Sequence, residues 1–439
     1  ALISTMKGNQ KYFHAVAAPG ILPLAALAHP CAADDNGKLM PYFITISNIE
    51  SRDPDKVREG NERVIRPRFT DAAFFWEQDC KHPLHSRLEK LKSVVFEEKL
   101  GTLYDKTMRI KALASMIAEA TDNTPFFKSA KQHAAHAAEL CKCDLLTSMV
   151  SGFPELQGIM GRYYAGRDGK DPQVAQAIEE HYLPRHAGDA LPQTITGKIV
   201  AIADRLDTLA GIFAIGQAPS GDKDPYALRR AALGVLRIII ESNLDLNIDL
   251  QQLLIAAIKN LPDTLKKDST AQQVFDFMME RLRAYYADTG IPPEVFDAVR
   301  AQRPTRPLDF HARLHAVSQF RALPEAESLA AANKRIGNIL RKTEEAIPST
   351  VDPVRLIDTA EVDLATALDA LRCGVEAQFD RGDYTEGLRR LATLREPIDR
   401  FFENVMVMAE DAALRANRLA LLQQMHGLFL RVADLSRLP

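Results

Sequence analysis

Apolar residues recur at three- and four-residue intervals through most of this chain, the spacing that places one face of an α-helix against a core. From about Leu84 to Leu250 the pattern predicts helices over 84–98, 103–120, 128–150, 172–182, 192–216 and 225–242. Breaks fall at Thr124-Pro125, Gly152, Gly166 to Pro172 and Gly216 to Pro225. Asp171 ahead of Pro172 reads as an N-cap followed by a first-turn proline. Further on, TAQQVFDFMMERLRAYYADTG continues the helical period, IPPEVF and QRPTRP interrupt it, and helices resume from about 311 to 439. The last of these carries Leu414, Leu421, Met425, Leu428 and Val432 as a long apolar stripe, so it should pack into a bundle. Only the first ninety residues differ. There ALISTM and the stretch Leu39 to Ile49 are β-branched and aromatic, which predicts strands joined by a Gly/Pro/Asp-rich segment at 19–37, with helix from about Asp55. The expected fold class is mainly α: a multi-domain helical chain with a small α+β portion at the N-terminus, its best boundary near 290–308.

Composition narrows the function classes more than the fold. A length of 439 residues suggests two to four domains, and 46% hydrophobic with 26% charged residues is an ordinary globular balance. The net charge of −3 excludes a bulk polycation, so any nucleic-acid contact has to come from local patches. The five cysteines, Cys31, Cys80, Cys141, Cys143 and Cys373, are odd in number and scattered, as expected of a reducing compartment. No apolar run of about 18 residues and no signal-peptide pattern occurs, so a cytoplasmic protein without a membrane partner is expected. The chain starts at Ala1 inside patterned sequence, which suggests that an N-terminal part is missing.

Five strings could carry chemistry. HAAHAAELCKCDLLTSMV sets His133, His136, Cys141, Cys143 and Asp144 close in sequence. Read as one helix, the span from His133 to Asp144 is about 16 Å, too long for ligands of one ion, and C-x-C points its thiols to nearly opposite faces. No metal is expected there. ADRLD sets Asp204 and Asp207 three apart on a helix, where they could hold a cation or pair with cations. PSGDKDPYALRR carries Lys223, Arg229 and Arg230 at a helix start, able to meet phosphates although the spacing is not that of a phosphate-cradling loop. In the last helix Arg415 stands four residues after Asp411, an expected intrahelical pair. Near the N-terminus Arg58, Arg63, Arg66 and Arg68 precede Phe74, Phe75 and Trp76, which could stack bases or simply pack a helix end.

HAAHAAELCKCDLL and ADRLD together resemble the His-Asp metal-dependent phosphohydrolase bundle. The late aspartate is present as Asp204. The central His-Asp pair would fall on CKCD, where Lys142 and Cys143 stand instead, and YDKTMRI holds no histidine at the earlier position. A protonated lysine cannot ligate a metal, so the resemblance implies the fold without the reaction.

A broader resemblance covers nearly the whole chain. NERVIRPRFTDAAFFWEQD, LGTLYDKTMRI, KCDLLTSMVSGFPELQGIMGRYYA, VAQAIEEHYLPR, ADRLDTLAGIFAIGQAPSGDKDPYALRRAALGVLRI and DRFFENVMVMAEDAALRANRLALL are similar to the β subunit of bacterial glycyl-tRNA synthetase. The resemblance implies an end of an α+β tRNA-handling domain at 1–90, a degenerate HD-type helical bundle at 91–240, a helical linker at 241–309 and an anticodon-binding-like helical domain at 310–439. It departs from the family by its start inside a domain and by an apolar insertion at residues 17–30. It implies a chain with no catalytic residue and no cofactor of its own, ATP and Mg being used through an alpha subunit in an alpha2beta2 tetramer. Binding of tRNA(Gly) would fall to Lys223, Arg229, Arg230, Arg415, Asn417 and Arg418. A nucleotide phosphohydrolase and a purely structural scaffold for the alpha subunit are the alternatives.

Overall fold

A computed structural model describes residues 13–16, 39–47, 50–120, 125–241 and 248–438. The expected strand at ALISTM and the apolar stretch at 17–30 lie outside the described residues. The chain divides into two compact units, residues 1–211 with 260–264, and 212–259 with 265–439.

In the first unit, β1 (Phe13–Val16) and β2 (Leu39–Ile44) pair antiparallel, with Phe13 opposite Ile44 and Val16 opposite Leu39. Helix α1 (Pro54–Asp79) starts as its sequence dictates: the Asp53 carboxylate accepts from Lys56 N at 3.2 Å, and Pro54 opens the first turn. Its Ile65 is buried against Phe43 and Phe69. The short strands β3 (Val95–Glu97) and β4 (Gly101–Thr102) lead into α2 (Leu103–Ala120), and α3 (Pro125–Leu140) packs along α2. Leu113, Ala114 and Ile117 on α2 and Ala130, Ala134 and Ala137 on α3 are all buried. Next come α4 (Ser148–Gly152), α5 (Ile159–Arg167), α6 (Pro172–Glu180) and α7 (Ile195–Ala214). Gly161 sits where a Cβ would lie 2.5 Å from Ile178, which makes the α5–α6 approach dependent on glycine.

The second unit contains α8 (Leu228–Glu241), α9 (Leu250–Lys259), α10 (Asp268–Asp288), α11 (Pro293–Arg300), α12 (Pro307–Arg321) and α13 (Ala326–Lys342). These are followed by α14 (Thr359–Asp380), α15 (Tyr384–Ala392), α16 (Arg395–Asn404) and α17 (Ala412–Leu430). Helix α8 buries Leu228, Ala232, Val235 and Ile239, the face its period implied, against α10 and α12. On α17, Leu421, Met425 and Leu428 are buried, and Val432 just beyond it continues the stripe. No helix among the described residues is long and apolar enough to cross a membrane.

Three local expectations change. The segment 84–98 is not a helix: two 3-10 turns, Leu84–Arg87 and Glu89–Ser93, give way to β3. There the Glu97 carboxylate accepts from Lys99 N at 2.7 Å and Leu100 N at 3.2 Å, and Gly101 at φ +86° turns the chain. The helix expected over 128–150 ends at Leu140, and a 3-10 turn (Cys143–Leu146) and α4 follow. Its continuation is interrupted because Thr147 and the buried Asp79 carboxylate cap α4, Asp79 accepting from Ser148 N and Met149 N at 2.9 Å each. Asp171 does cap α6, accepting from Gln173 N at 2.8 Å. Helix α8, expected with the bundle at 91–240, belongs to the second unit.

Candidate functional site

The most concentrated chemistry of the first unit is a buried polar cluster where α2, the turn after α3, the end of α6 and α7 meet. Helical spacing assembles half of it: Lys106 and Arg109 are three apart on α2, and Asp204 and Asp207 are three apart on α7. Two cations thus face two carboxylates at the same pitch. The Lys106 ammonium lies 3.0 Å from Asp204 and 3.1 Å from Asp207, and donates to the Thr208 hydroxyl at 2.7 Å. Arg109 Nε donates to Asp207 Oδ1 at 2.6 Å, while its Nη1 reaches the Leu100 carbonyl at 3.0 Å. Because the backbone leaves the helix after Leu140, Lys142 can turn inward. Its ammonium donates to Asp204 Oδ2 and to His181 Nε2, both at 2.9 Å, and lies over the Tyr182 ring at 4.5 Å.

Electrostatics follow from that geometry. Burial alone would raise the Asp204 carboxyl, but Lys106 and Lys142 outweigh it and hold the group well below the usual carboxylate range. Burial works against the Lys142 ammonium in turn, and Asp204 outweighs it, so Lys142 stays charged. Burial and the adjacent Lys142 ammonium push the His181 imidazole well below its ordinary value. His181 Nδ1 donates to the Ile178 carbonyl at 2.7 Å, which leaves Nε2 as the acceptor for Lys142. Asp144, fully enclosed, is pushed up to about 6 by burial, partly offset by the Gly158 and Gly161 amides and by Lys142.

Such a bundle with a His-Asp metal set would put imidazoles and carboxylates around a cation. Here the positions fit no ion: two ammonium groups already neutralise Asp204, Lys142 hydrogen-bonded to Oδ2 and Lys106 in ion-pair contact with Oδ1 at 3.0 Å, and a metal would have to displace both. The thiols fit no better. Cys141 and Cys143 are buried and donate to the Ala138 and Glu139 carbonyls at 3.1 and 3.7 Å. Burial pushes Cys141 up to about 12 and Cys143 higher still, so neither supplies a thiolate. His133 and His136 stand apart on α3, His133 lying 3.6 Å from Asp171. Of the expected degenerate positions, Lys142 and Asp204 come together; Cys143 points elsewhere. Lys106 and His181 emerge only from the structure; for Lys106 the matching i,i+3 cations and carboxylates are a readable signal in the sequence, and for His181 there is none. Arg205, between the two aspartates, pairs with neither: it donates to the carbonyls of His181, Ala201, Tyr182 and Pro184 at 2.9–3.1 Å.

The basic residues expected to meet RNA divide sharply by burial. Lys223 and Arg230 are exposed, on and just after a turn in which Ser220 and Lys223 form an antiparallel bridge. Asp224 caps α8, accepting from Leu228 N at 2.8 Å and Arg229 N at 3.0 Å, and the Arg229 guanidinium donates to the Gly221 carbonyl. Arg415 pairs with Glu345 at 2.6 Å rather than with Asp411, which instead caps α17 through Ala413 N and Leu414 N. Asn417 and Arg418 must be corrected. Both are buried, Arg418 only 5% exposed, with its guanidinium on Glu361, Asp358 and the Met406 carbonyl. Asn417 exchanges hydrogen bonds with the Asp352 backbone at 2.7 and 3.1 Å. Their donors are committed inside the unit, so neither faces a phosphate. Among the aromatics, Trp76 stacks on Tyr164 at 5.3 Å and Phe75 packs on Phe153 at 6.3 Å, which is the core-packing alternative; Phe74 is exposed.

Comparison with known proteins adds the family context. The family model described as glycyl-tRNA synthetase beta subunit matches residues 1–301, and that of the DALR anticodon binding domain matches residues 329–431. The glycine–tRNA ligase beta subunit of Marinobacter nauticus is 52% identical over 440 residues, covering 100% of this chain. That of Pseudomonas aeruginosa is 51% identical over 438 residues, and that of Pseudomonas putida is also 51% identical over 438. The chain spans about 60% of the length of these curated relatives.

Proposed function

Because this chain belongs to the glycyl-tRNA synthetase beta subunit family, we propose that it binds tRNA(Gly) and positions it for ATP-dependent aminoacylation carried out with an alpha subunit. The observation that carries the reading is coverage: one synthetase-subunit match and one anticodon-binding match run through the chain in sequence. On this reading glycine, ATP and magnesium act at the alpha subunit, in a cytoplasmic alpha2beta2 tetramer, and this chain contributes no bond-making group. Its work is positional: holding the acceptor end near the reacting centre lowers the entropic part of the barrier without acid or base from this side. The Lys106–Asp204–Lys142 cluster supports that division of labour, since a degenerate HD-type bundle with ammonium groups in its centre is a scaffold and not a metal-dependent phosphohydrolase.

Phosphate contact is assigned to Lys223, Arg229 and Arg230 at the head of α8; the Arg415 guanidinium is taken up by Glu345 and by the Ala409 and Glu410 carbonyls. The test is titration of a tRNA(Gly) transcript against the chain at several salt concentrations. Phosphate contacts predict a log–log slope that steepens by about 1 for each contact. Lys223→Ala with Arg230→Ala should therefore reduce the slope by about 2 and weaken binding. Absence of tRNA binding at low salt, with retained capture of the alpha subunit, would leave only a scaffold and overturn the proposal.

A further inference from the structure

The connection from α11 to α12 holds an arrangement that neither family match explains, since Arg303, Pro304, Arg306 and Arg437 lie outside both. A cleft of about 490 Å³ opens within the second unit, and three guanidinium-bearing residues from separate segments line it. Arg300 comes from the last turn of α11, Arg303 from the connection and Arg437 from the 3-10 turn Leu435–Arg437. Arg300 is tied to Glu280 and Arg437 to Asp434. Arg303 and, next to the cleft, Arg306 are exposed and make no ion pair among the described residues. Two carboxylates share the lining: Asp297 is neutralised by Arg283 at 2.8 Å, and Asp276 is exposed.

The backbone holds this segment in place. Arg303 N donates to the Arg300 carbonyl at 2.9 Å, the Thr305 carbonyl accepts from Leu250 N at 3.0 Å, and the Thr305 hydroxyl donates to Asp249 at 2.7 Å. Pro304 and Pro307 restrict the chain on either side. Asp434 N, donating to the Ala298 carbonyl at 2.9 Å, fastens the segment bearing Arg437 to α11. Within this rigid frame Arg303 adopts φ +51°, a left-handed conformation in which glycine is the usual residue and which a following proline disfavours further. An arginine there costs stability relative to glycine, and among the described residues its guanidinium makes no ion pair that would explain it.

The geometry points to a phosphate-contact site for an RNA backbone, formed by Arg303 and Arg306 with Arg300 and Arg437 behind them. The proposal rests on the tRNA-binding reading above and adds a second contact region remote in sequence from Lys223 and Arg230. Because the segment is already ordered, little conformational freedom is lost when a phosphate arrives.

Arg303→Gly separates function from folding, because glycine suits the backbone while removing the charge. The variant should unfold at the same temperature as the parent chain or higher. It should bind the tRNA(Gly) transcript about five-fold more weakly at about 0.15 M salt, with a salt slope lower by about 1, and Arg303→Gly with Arg306→Ala should lower it by about 2. Arg303→Lys, which restores charge, should recover part of the loss. If the parent chain and the Lys223→Ala/Arg230→Ala pair behave as expected while the Arg303 and Arg306 variants match the parent in affinity and slope, the cleft is not an RNA site and the functional reading stands. If the cleft variants instead lose only the alpha subunit, the site is a protein interface and the inference is overturned. A parent chain that binds no tRNA at low salt overturns both.

Discussion

Lysine at position 142 decides what the centre of the first unit can be. A lysine ammonium carries the compensating charge for Asp204 from within the chain, so the carboxylate needs no external cation. Lys142→Met should destabilise the unit by about 3 kcal/mol, because it removes one ammonium from Asp204 and the donor from His181. Urea unfolding measures this, and Asp204→Asn in the same background should recover part of the loss; a cost well under about 1 kcal/mol would show the pair to be dispensable. His181 gives the cluster a pH dependence. Its folded value is held well below the ordinary one, so between pH about 6.5 and that value the unfolded chain binds a proton the folded chain does not. Acidification through this window destabilises the fold by about 1.4 kcal/mol per pH unit for the one proton. Asp144, raised to about 6, acts in the opposite sense: its contribution is present at low pH and is lost as the pH rises through about 6. Asp204 adds its own loss only below about pH 4. His181→Gln should therefore lose less thermal stability than the parent between pH 6.5 and 5, and parallel melting curves across that range would refute the assignment.

At the scale of elements, the C-terminal helices show how a basic residue can be mistaken for a ligand-facing one. Glu361 closes a capping box at the start of α14, accepting from Ile357 N at 2.9 Å and Asp358 N at 3.2 Å, and also receives Arg418 from α17. Arg418 thus joins the N-terminus of one helix to the side of another. Arg418→Ala leaves the fully buried Glu361 carboxylate without its counter-charge and should cost about 3–5 kcal/mol in unfolding, with no change in the tRNA salt slope. A reduced slope with unchanged stability would return Arg418 to the RNA-facing set. The helix break at Leu140 is the other lesson at this scale. Propensity favours continuation, and the local Thr147 cap together with the tertiary cap from Asp79 starts α4 anew.

For the whole molecule, the two proposed RNA regions, the head of α8 and the connection between α11 and α12, make separable demands. Both are local concentrations of arginine and lysine in a chain whose net charge is −3, so affinity should depend on particular contacts and not on bulk attraction. Variants at one region should change the salt slope without removing the contribution of the other.

Apolar periodicity was enough to read most helices, the buried face of α8 and the stripe of α17, because a helix needs one contiguous apolar face to pack. Long strings such as KDPYALRRAALGVLRI carried the family. The resemblance to the His-Asp bundle grouped Lys142, Cys143 and Asp204, and the structure brings only part of that group together: the backbone leaves the helix after Leu140 and sends Lys142 inward to Asp204 while Cys143 turns to a carbonyl. Only tertiary structure decided which charges are buried. Lys106 and Lys142 meet Asp204 across separations of 98 and 62 residues, and Arg418 meets Glu361 across 57. A charged side chain reads as exposed in any sequence, since it enters a core only when a partner from a distant element arrives to neutralise it.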